Sequence, residues 1–433
     1  MTLRTILKNG VDTDGKSISI VIEGERISSI SHNSGSEPEV DATIIDLKGL
    51  TVAPSLVDLH THLREPGKED AETVASGSAS AVRGGFGAIS AMPNTNPVAD
   101  TAGVVEQVFS LGIEAGLCDV FPIGAVTIGQ KGERLAEILA MAESRARVRI
   151  FSDDGHCVAD PVLMRRALEY VKIFDGVIAQ HAQDPTLTDG AQMNEGVISA
   201  RLGLKGWPAV AEEAIIARDV LLADHVDSRL HICHVSTAGS VEIIRWAKAR
   251  GIRVTAEATP HHLLLTEDLA TTFDPVYKVN PPLRKDSDVQ ALREGLADGT
   301  IDIIATDHAP HPEEAKECEW DAAAFGMIGL ETALAVSYKA MVETGLMSFS
   351  DLIACMGSKP AEIAGYFDHM DQFKVGRLAS LVVIDRERRW HVDREMTLSR
   401  SRNTPFHGLE LGCYVRDVMY KGSWVMREGT VLA

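Results

Sequence analysis

The sequence contains no run of ~18 uninterrupted apolar residues, which excludes a membrane-crossing helix. Met1 to Gly10 holds Arg4 and Lys8 among scattered apolar positions and has no continuous apolar stretch, so a secretory leader is not expected. Basic residues are in deficit: 42 Lys plus Arg stand against 62 Asp plus Glu, a net charge of −20 that opposes binding to DNA or RNA phosphates. The six cysteines, at 118, 157, 233, 318, 355 and 413, form neither a CxxC pair nor a regular framework. A chain of 433 residues with 45% hydrophobic content can bury a sizeable core without disulfide staples, so reduced thiols and a soluble, cytoplasmic chain are expected.

What is present has a regular layout. Ser17 to Ile20 and Ile22 to Ile27 read as a hairpin around a Gly-containing turn. At the far end Leu381 to Ile384 is a β-branched run, and Val415 to Val425 alternates apolar and polar residues around Lys421, Gly422 and Ser423. Each end is short of core by itself, so residues 1–52 and 373–433 are expected to combine into one small β-sandwich. Residues 53–372 instead repeat a short apolar run, a polar cluster and a helix-patterned stretch. The runs are Ser55 to His60, Gly87 to Met92, Val120 to Val126, Val148 to Phe151, Val177 to His181, Leu230 to Val235, Ile252 to Ala256 and Ile301 to Ala305. Between them lie Ala136 to Arg147, Val162 to Ile173, Ala211 to Ala223, Ser240 to Arg250 and Val289 to Leu296, with apolar residues recurring at three and four. No strand is followed by a Gly-rich dinucleotide turn, which argues against an open doubly wound sheet. The expected fold is α/β, a (β/α)8 TIM barrel over 53–372 with the β-sandwich formed by the two terminal segments. Chemistry in such a barrel sits at the C-terminal strand ends.

The first run ends Asp58, Leu59, His60, Thr61, His62. Residues i and i+2 of a strand face the same way, so His60 and His62 can offer two imidazoles to one ion. The fourth run ends in Ser152, Asp153 and Asp154, the fifth in His181, the sixth in His234, and the eighth in Thr306, Asp307 and His308. Any one of these alone is explained as a cap or a satisfied polar group. Together they bring four His and two Asp to one mouth. Such a set suits two divalent ions, zinc by ligand type, sharing one carboxylate at the about 3.5–4 Å spacing of hydrolytic pairs. A hydroxide between the ions would be available because coordination lowers the pKa of water to about 7, and an electron-poor carbonyl placed over it would be attacked. The residues by themselves leave Asp153 and Asp154 equivalent.

Six motifs stand in order: Val57 to Gly67 (VDLHTHLREPG), Ala91 to Thr95 (AMPNT), Phe151 to Gly155 (FSDDG), Val279 to Arg284 (VNPPLR), Ala305 to His311 (ATDHAPH) and Gly326 to Thr332 (GMIGLET). Linked in this way, the chain resembles the dihydroorotases of the amidohydrolase superfamily, in their longer bacterial (class I) form. The resemblance implies a hydrolase, reversibly cyclising N-carbamoyl-L-aspartate to L-dihydroorotate and water in pyrimidine synthesis. It implies two Zn2+ per chain: His60, His62 and Asp307 on one, His181 and His234 on the other, with Asp154 and a hydroxide as bridges. Many relatives bridge with a carboxylated lysine at the end of the fourth strand. Here Arg147 to Phe151 contains no Lys, in keeping with the aspartate-bridged branch. Gln183 departs from the acidic residue that members commonly carry two places after the fifth-strand His, a change expected to tune His181 without removing the site.

Both substrate and product are anions, so the acidic chain must supply local cations. Arg64, two residues past His62, is placed either for a bidentate contact to the substrate carboxylate or for a surface ion pair with Glu65 or Asp70. The resemblance implies the first. It adds Asn94 and His311 as donors to that carboxylate, counts His62 among the substrate-binding residues, and assigns ring-amide contacts to Asn280, Phe325 and Gly326, the last two through backbone groups. Asp307 is the implied catalytic proton carrier. Cys233 is expected to be a packed thiol, His261 and His262 polar loop residues or supports of the ligands, and Glu313, Glu314, Glu317 and Glu319 a solvated face. The enzymatic rivals are dihydropyrimidinase-like and allantoinase-like cyclic amidases, which lack the combination of Arg64, Asn94 and His311. A non-enzymatic rival is a dead scaffold that only binds aspartate transcarbamoylase, but such scaffolds lose ligands and this chain keeps all six. The expected assemblies are a homo-oligomer and a complex with aspartate transcarbamoylase.

Overall fold

The structure of the chain, a computed structural model, describes residues 4–32 and 41–432. All eight apolar runs form strands: Leu56–Thr61, Phe86–Ala91, Asp119–Pro122, Ile150–Phe151, Val177–Gln180, Arg229–Ile232, Val254–Ala258 and Ile303–Ile304. They are parallel, the first three paired in chain order and the last five likewise. Parallel bridges between Gly124 and Phe151 and between Thr61 and His308 join the two groups at both seams. The pairing therefore runs in a closed circuit. The first two strands are buried at every position, as parallel strands covered on both faces must be.

Helices follow where apolar residues recur at three and four. Pro161–Val171 starts at Asp160, whose carboxylate accepts the Leu163 N–H, with Pro161 in the first turn where its missing N–H is not needed. Thr73 caps Val74–Arg83 through a reciprocal box with Ser76. Val210–Val226, Ala238–Ala249 and Asp286–Asp298 fill three further expected stretches. Ala136 to Arg147 yields only Ile138–Glu143, and Ala136 pairs instead with Val126 through its N–H.

Both chain ends enter one sheet of nine strands, in the order Thr430–Val431, Ser423–Arg427, Tyr414–Tyr420, Leu381–Asp385, Thr51–Pro54, Arg4–Val11, Ser17–Glu23 and Arg26–Ser31, with Thr43–Asp46 beside Arg4–Val11. The expected hairpins around Gly24 and Gly422 are present. Strand alternation explains how one sheet serves two cores. Leu381 and Val383 pack with Leu7, Ile18 and Ile20, whereas Val382 and Ile384 join the main core with Val418 and Met426. Asp119, at the start of the third parallel strand, accepts from Tyr420, Lys421 and His369 and ties the sheet to the strand circuit.

Two features depart from the expected layout. The boundary at 52/53 falls inside the strand Thr51–Pro54. The stretch between Leu381–Asp385 and Tyr414–Tyr420 leaves the terminal sheet: Val392, Phe406 and Leu411 bury against Ala335 and Val336. Residues 399–403 thereby reach the strand ends that carry the predicted site.

Candidate metal centre and substrate pocket

His60 lies in the first parallel strand, and His62, Asp154, His181, His234 and Asp307 follow the C-terminal ends of the first, fourth, fifth, sixth and eighth. The rim is held by backbone pairing and by Asp58, which accepts the N–H groups of both His60 and Thr306. Arg64, His234 and Asp307 have φ of +63°, +31° and +49°. Such values are uncommon for non-glycine residues and concentrate where a site needs a side chain aimed out of the regular chain direction.

All six side chains are buried and converge. Asp154 Oδ1 lies 3.4 Å from His60 Nε2, 3.2 Å from His181 Nδ1 and 3.2 Å from His234 Nε2, while Oδ2 lies 3.3 Å from His62 Nε2. Asp307 Oδ1 lies 3.1 Å from His62 Nε2 and 3.4 Å from His60 Nε2. Asp153 is turned elsewhere: its carboxylate accepts the N–H groups of Val126 and Thr127 and the Thr127 hydroxyl.

The outer nitrogens of three imidazoles show what the centre is built to hold. His60 Nδ1 donates to Glu257 Oε1 at 2.6 Å, His62 Nδ1 to Asn94 Oδ1 at 2.9 Å, and His181 Nε2 to Gln183 Oε1 at 2.6 Å. A ring that is neutral with this outer N–H points a lone pair inward, at carboxylate oxygens or, for His181, also at His234 Nε2 2.8 Å away. His60 Nε2 is buried without a hydrogen-bond partner. Acceptors facing acceptors in a buried site require positive charge, and a cation meets that need. Two groups, His60 with Asp154 and His234, and His60 with His62 and Asp307, keep their ligand atoms within 4.8 Å of one another. Protonated rings are the other way to supply that charge: burial opposes charge on Asp154 and Asp307, but a protonated His60 and hydrogen bonds donated by the other facing rings outweigh it and hold both carboxyls well below the usual range.

Glu257 belongs to this centre and escaped the sequence reading, which ended the seventh run at Ala256. It accepts from His60, from His231 Nε2 at 3.0 Å and from the His234 N–H at 3.2 Å. Burial favours its neutral form, yet His60 and His231 carry it down to about 2. The signal in the sequence was an acid flanked by Ala256 and Ala258 at a strand end. Glu257→Gln removes the charge that orients His60 and is expected to weaken metal affinity about 10–100-fold. A chelator-competition titration measures this; unchanged affinity would reduce Glu257 to a packing role.

The predicted substrate residues surround the centre. Arg64 is buried, its Nε donates to the Pro310 carbonyl at 3.1 Å, and burial lowers it to about 10. Neither Glu65 nor Asp70 pairs with it; Glu65 accepts the Val74 N–H, and among the described residues no carboxylate lies within 4.0 Å of the guanidinium. His311 Nε2 donates to the Phe325 carbonyl at 2.8 Å. Asn280 donates to Gln183 and keeps its own Oδ1 buried without a donor. Gly326 differs from a simple contact residue, since its N–H goes to Lys278 O and its carbonyl accepts from Lys316 and Asn403. It acts through spacing: at φ +143° a Cβ there would meet Ala309 Cβ and His311 Nε2 at 2.8 Å.

The remaining candidates take quieter places. Cys233 is buried on the side of His60 that bonds Glu257, and burial pushes its thiol up. His262 bonds Thr259 and the Pro281 carbonyl, whereas His261 Nε2 is buried without a partner. Glu313, Glu314, Glu317 and Glu319 are exposed. His308 spans Glu72 and the Gly329 N–H. Asn403, from the C-terminal stretch, donates to Ala309 O at 2.9 Å and accepts the His311 N–H; no local pattern marked it.

Fold and donor set together define an amidohydrolase of the cyclic-amide class. The structure superposes on the L-hydantoinase (dihydropyrimidinase) from Arthrobacter aurescens with a TM-score of 0.88 and 27% identity, covering 100% of this chain and 98% of that one. It shares its fold with the dihydropyrimidinase from Brevibacillus agri, at a TM-score of 0.84, 21% identity and coverages of 99% and 96%. A family model described as dihydro-orotase-like matches residues 49–240. The chain is 57% identical over 426 residues to a dihydroorotase of Streptomyces coelicolor, spanning 98% of this chain and 99% of that protein. It is 48% identical over 420 residues to a dihydroorotase of Mycobacterium tuberculosis, spanning 97% of each. The chain belongs to the dihydroorotase family.

Proposed function

We propose that the chain catalyses the reversible cyclisation of N-carbamoyl-L-aspartate to L-dihydroorotate and water, a step of pyrimidine synthesis. The observation that carries this is Arg64, a buried guanidinium beside the histidine and aspartate cluster with no carboxylate of its own. Desolvating such a cation is costly, and an anionic substrate removes the cost. Dihydrouracil and hydantoin lack the carboxylate that Arg64 calls for. A ring-opening assay on dihydroorotate, dihydrouracil, hydantoin and allantoin, with and without added zinc, is expected to show turnover confined to dihydroorotate and dependent on metal. Equal turnover of the four would overturn the reading.

The fold that goes with this function is a (β/α)8 barrel over about residues 55–372, with the terminal strands as a β-sandwich; the closed strand pairing and the two separate cores support it. His60, His62 and Asp307 would hold one zinc ion, His181 and His234 a second, and Asp154 both. Bound there, the ions would supply a nucleophilic water near neutral pH and polarise the carbonyl under attack. Elemental analysis of purified protein is expected to give close to two divalent ions per chain. Full activity at one tightly held ion would contradict that count.

Asp307 starts ionised because it faces the positive charge that the centre requires, so it is ready to accept. In ring opening it takes one proton from the attacking water as the oxygen bonds to the ring carbonyl carbon. When the C–N bond breaks, it returns that proton to the departing nitrogen. The biosynthetic direction reverses each transfer. Arg64 and Asn94 grip the carboxylate, His311 gives its one N–H to the Phe325 carbonyl and holds that carbonyl in place, and the free Asn280 Oδ1 suits a ring N–H. The Phe325 carbonyl keeps a second lone pair for the same purpose. The six unpaired thiols support a cytoplasmic location, and no helix among the described residues is long and apolar enough to cross a membrane. The reading includes a homo-oligomer and an aspartate transcarbamoylase partner.

A further inference from the structure

Behind the substrate-facing loop lies a lysine that the chemistry above does not use. Lys316 sits among the exposed Glu313, Glu314 and Glu317, yet is only 5% exposed itself. A buried ammonium is costly unless its N–H groups are bonded, and here all three find backbone carbonyls. Nζ donates to Lys278 O at 3.1 Å, Ala324 O at 2.9 Å and Gly326 O at 3.0 Å. The nearby acids leave it without an ion pair; among the described residues no carboxylate lies within 4.0 Å of Nζ, and burial pushes the group down to about 7. A lysine held this way serves the chain conformation rather than surface charge.

The bonded carbonyls belong to residues that frame the pocket. Ala324 and Gly326 flank Phe325, whose carbonyl faces His311, and Lys278 stands two residues before Asn280. The opposite side is held as well: the Lys278 ammonium lies 4.5 Å from the Phe325 ring centre, and Asn403 donates to Gly326 O at 3.2 Å. Without Lys316 the Gly326 N–H still reaches the Lys278 carbonyl at 3.0 Å, but the segments carrying Phe325 and Asn280 lose the three bonds that converge on one ammonium, and the Ala324 carbonyl loses its Lys316 donor.

We propose that Lys316 is a positioning residue for ring recognition: by joining 278 to 324 and 326 it sets the Phe325 carbonyl and the Asn280 amide at the distance a cyclic diamide requires. This rests on the ring contacts assigned under the proposed function. Lys316 touches neither the metal cluster nor Arg64. Its loss should therefore weaken the grip on a ring and spare the grip on a carboxylate.

The test uses metal-loaded Lys316→Met, which keeps the length and removes the donors. Orotate presents ring amides plus a carboxylate, and succinate presents carboxylates without a ring. The inhibition constant for orotate and the KM for dihydroorotate are expected to rise at least tenfold, with the succinate constant changing less than twofold and metal content unchanged. A merely structural lysine would lower the melting temperature or the active fraction and leave the orotate-to-succinate ratio where it was, which overturns the proposal. Should Lys316→Met not fold, Lys316→Gln, which keeps part of the N–H donation to the same carbonyls, is expected to give the same orotate-selective rise to a smaller extent; a parallel rise of both constants, or of neither, again overturns it. Turnover of dihydroorotate by the unaltered chain tests the underlying function first and independently.

Discussion

Arg64→Met is expected to lower kcat/KM for dihydroorotate on the order of 10³-fold while leaving metal content as in the unaltered chain. Met retains much of the apolar stem and deletes the planar fork, so the packing around Pro310 suffers little. A charge-assisted bidentate contact in a buried site is among the stronger single interactions available, and a site built around it penalises loss of either partner. Three decades correspond to about 4 kcal/mol, at about 1.4 kcal/mol per decade. The diagnostic feature is selectivity: any weak activity on dihydrouracil, which has no carboxylate to lose, is expected to be unaffected. Equal losses on both substrates would assign Arg64 to folding of the rim instead of substrate selection. Arg64→Lys is expected to recover only part of the activity, because an ammonium cannot reproduce the fork.

The second large effect separates two neighbouring acids. Asp154→Ala removes the carboxylate that lies within 3.4 Å of His60, His62, His181 and His234, and is expected to abolish ring opening and reduce bound metal. Added bicarbonate should not restore it, since no lysine of the fourth strand is present to be carboxylated. Asp153→Ala should behave differently. Its carboxylate holds the Val126 and Thr127 amides at 2.9 and 3.0 Å, so deletion leaves buried donors unpaired. The expected result is a stability loss of about 3 kcal/mol with near-normal activity per folded, metal-loaded molecule. Thermal melting and single-site activity measurements together decide this. Loss of metal in Asp153→Ala with retention in Asp154→Ala would reverse the roles.

The convergence of the six proposed ligands was legible because each of these side chains obeys a local rule. His60 and His62 share a face through strand alternation, and His181, His234 and Asp307 each follow an apolar run that is recognisable within a few residues. Gln183 was also placed by local spacing, and the structure puts its carbonyl oxygen on His181 Nε2, where it fixes which ring nitrogen faces inward. Asn94 carried more than its expected part, since its Oδ1 orients His62 as well. Glu257 was lost at the edge of an assigned run, where one residue decides whether an acid counts as strand or loop.

Other assignments depend on groups far apart in the chain. Asp153 and Asp154 are chemically identical neighbours; what distinguishes them is that Val126 and Thr127 wait for one and four imidazoles for the other. Asn403 acquires its place only when Val392, Phe406 and Leu411 bury against Ala335 and Val336 and carry the C-terminal stretch to the rim. Lys316, embedded in an acidic surface run, gives no sign of its burial until residues 278, 324 and 326 close around it. The sequence by itself determined the eight-strand rhythm, the arrival of four His and two Asp at one rim and a cation, Arg64, beside them, because alternation and apolar runs are short-range properties of a chain. The tertiary structure alone decided which carboxylate lies among the histidines, which acid orients His60 and which distant side chains brace the pocket, because a buried polar group takes its role from whatever donor or acceptor faces it, and that partner is chosen by the fold.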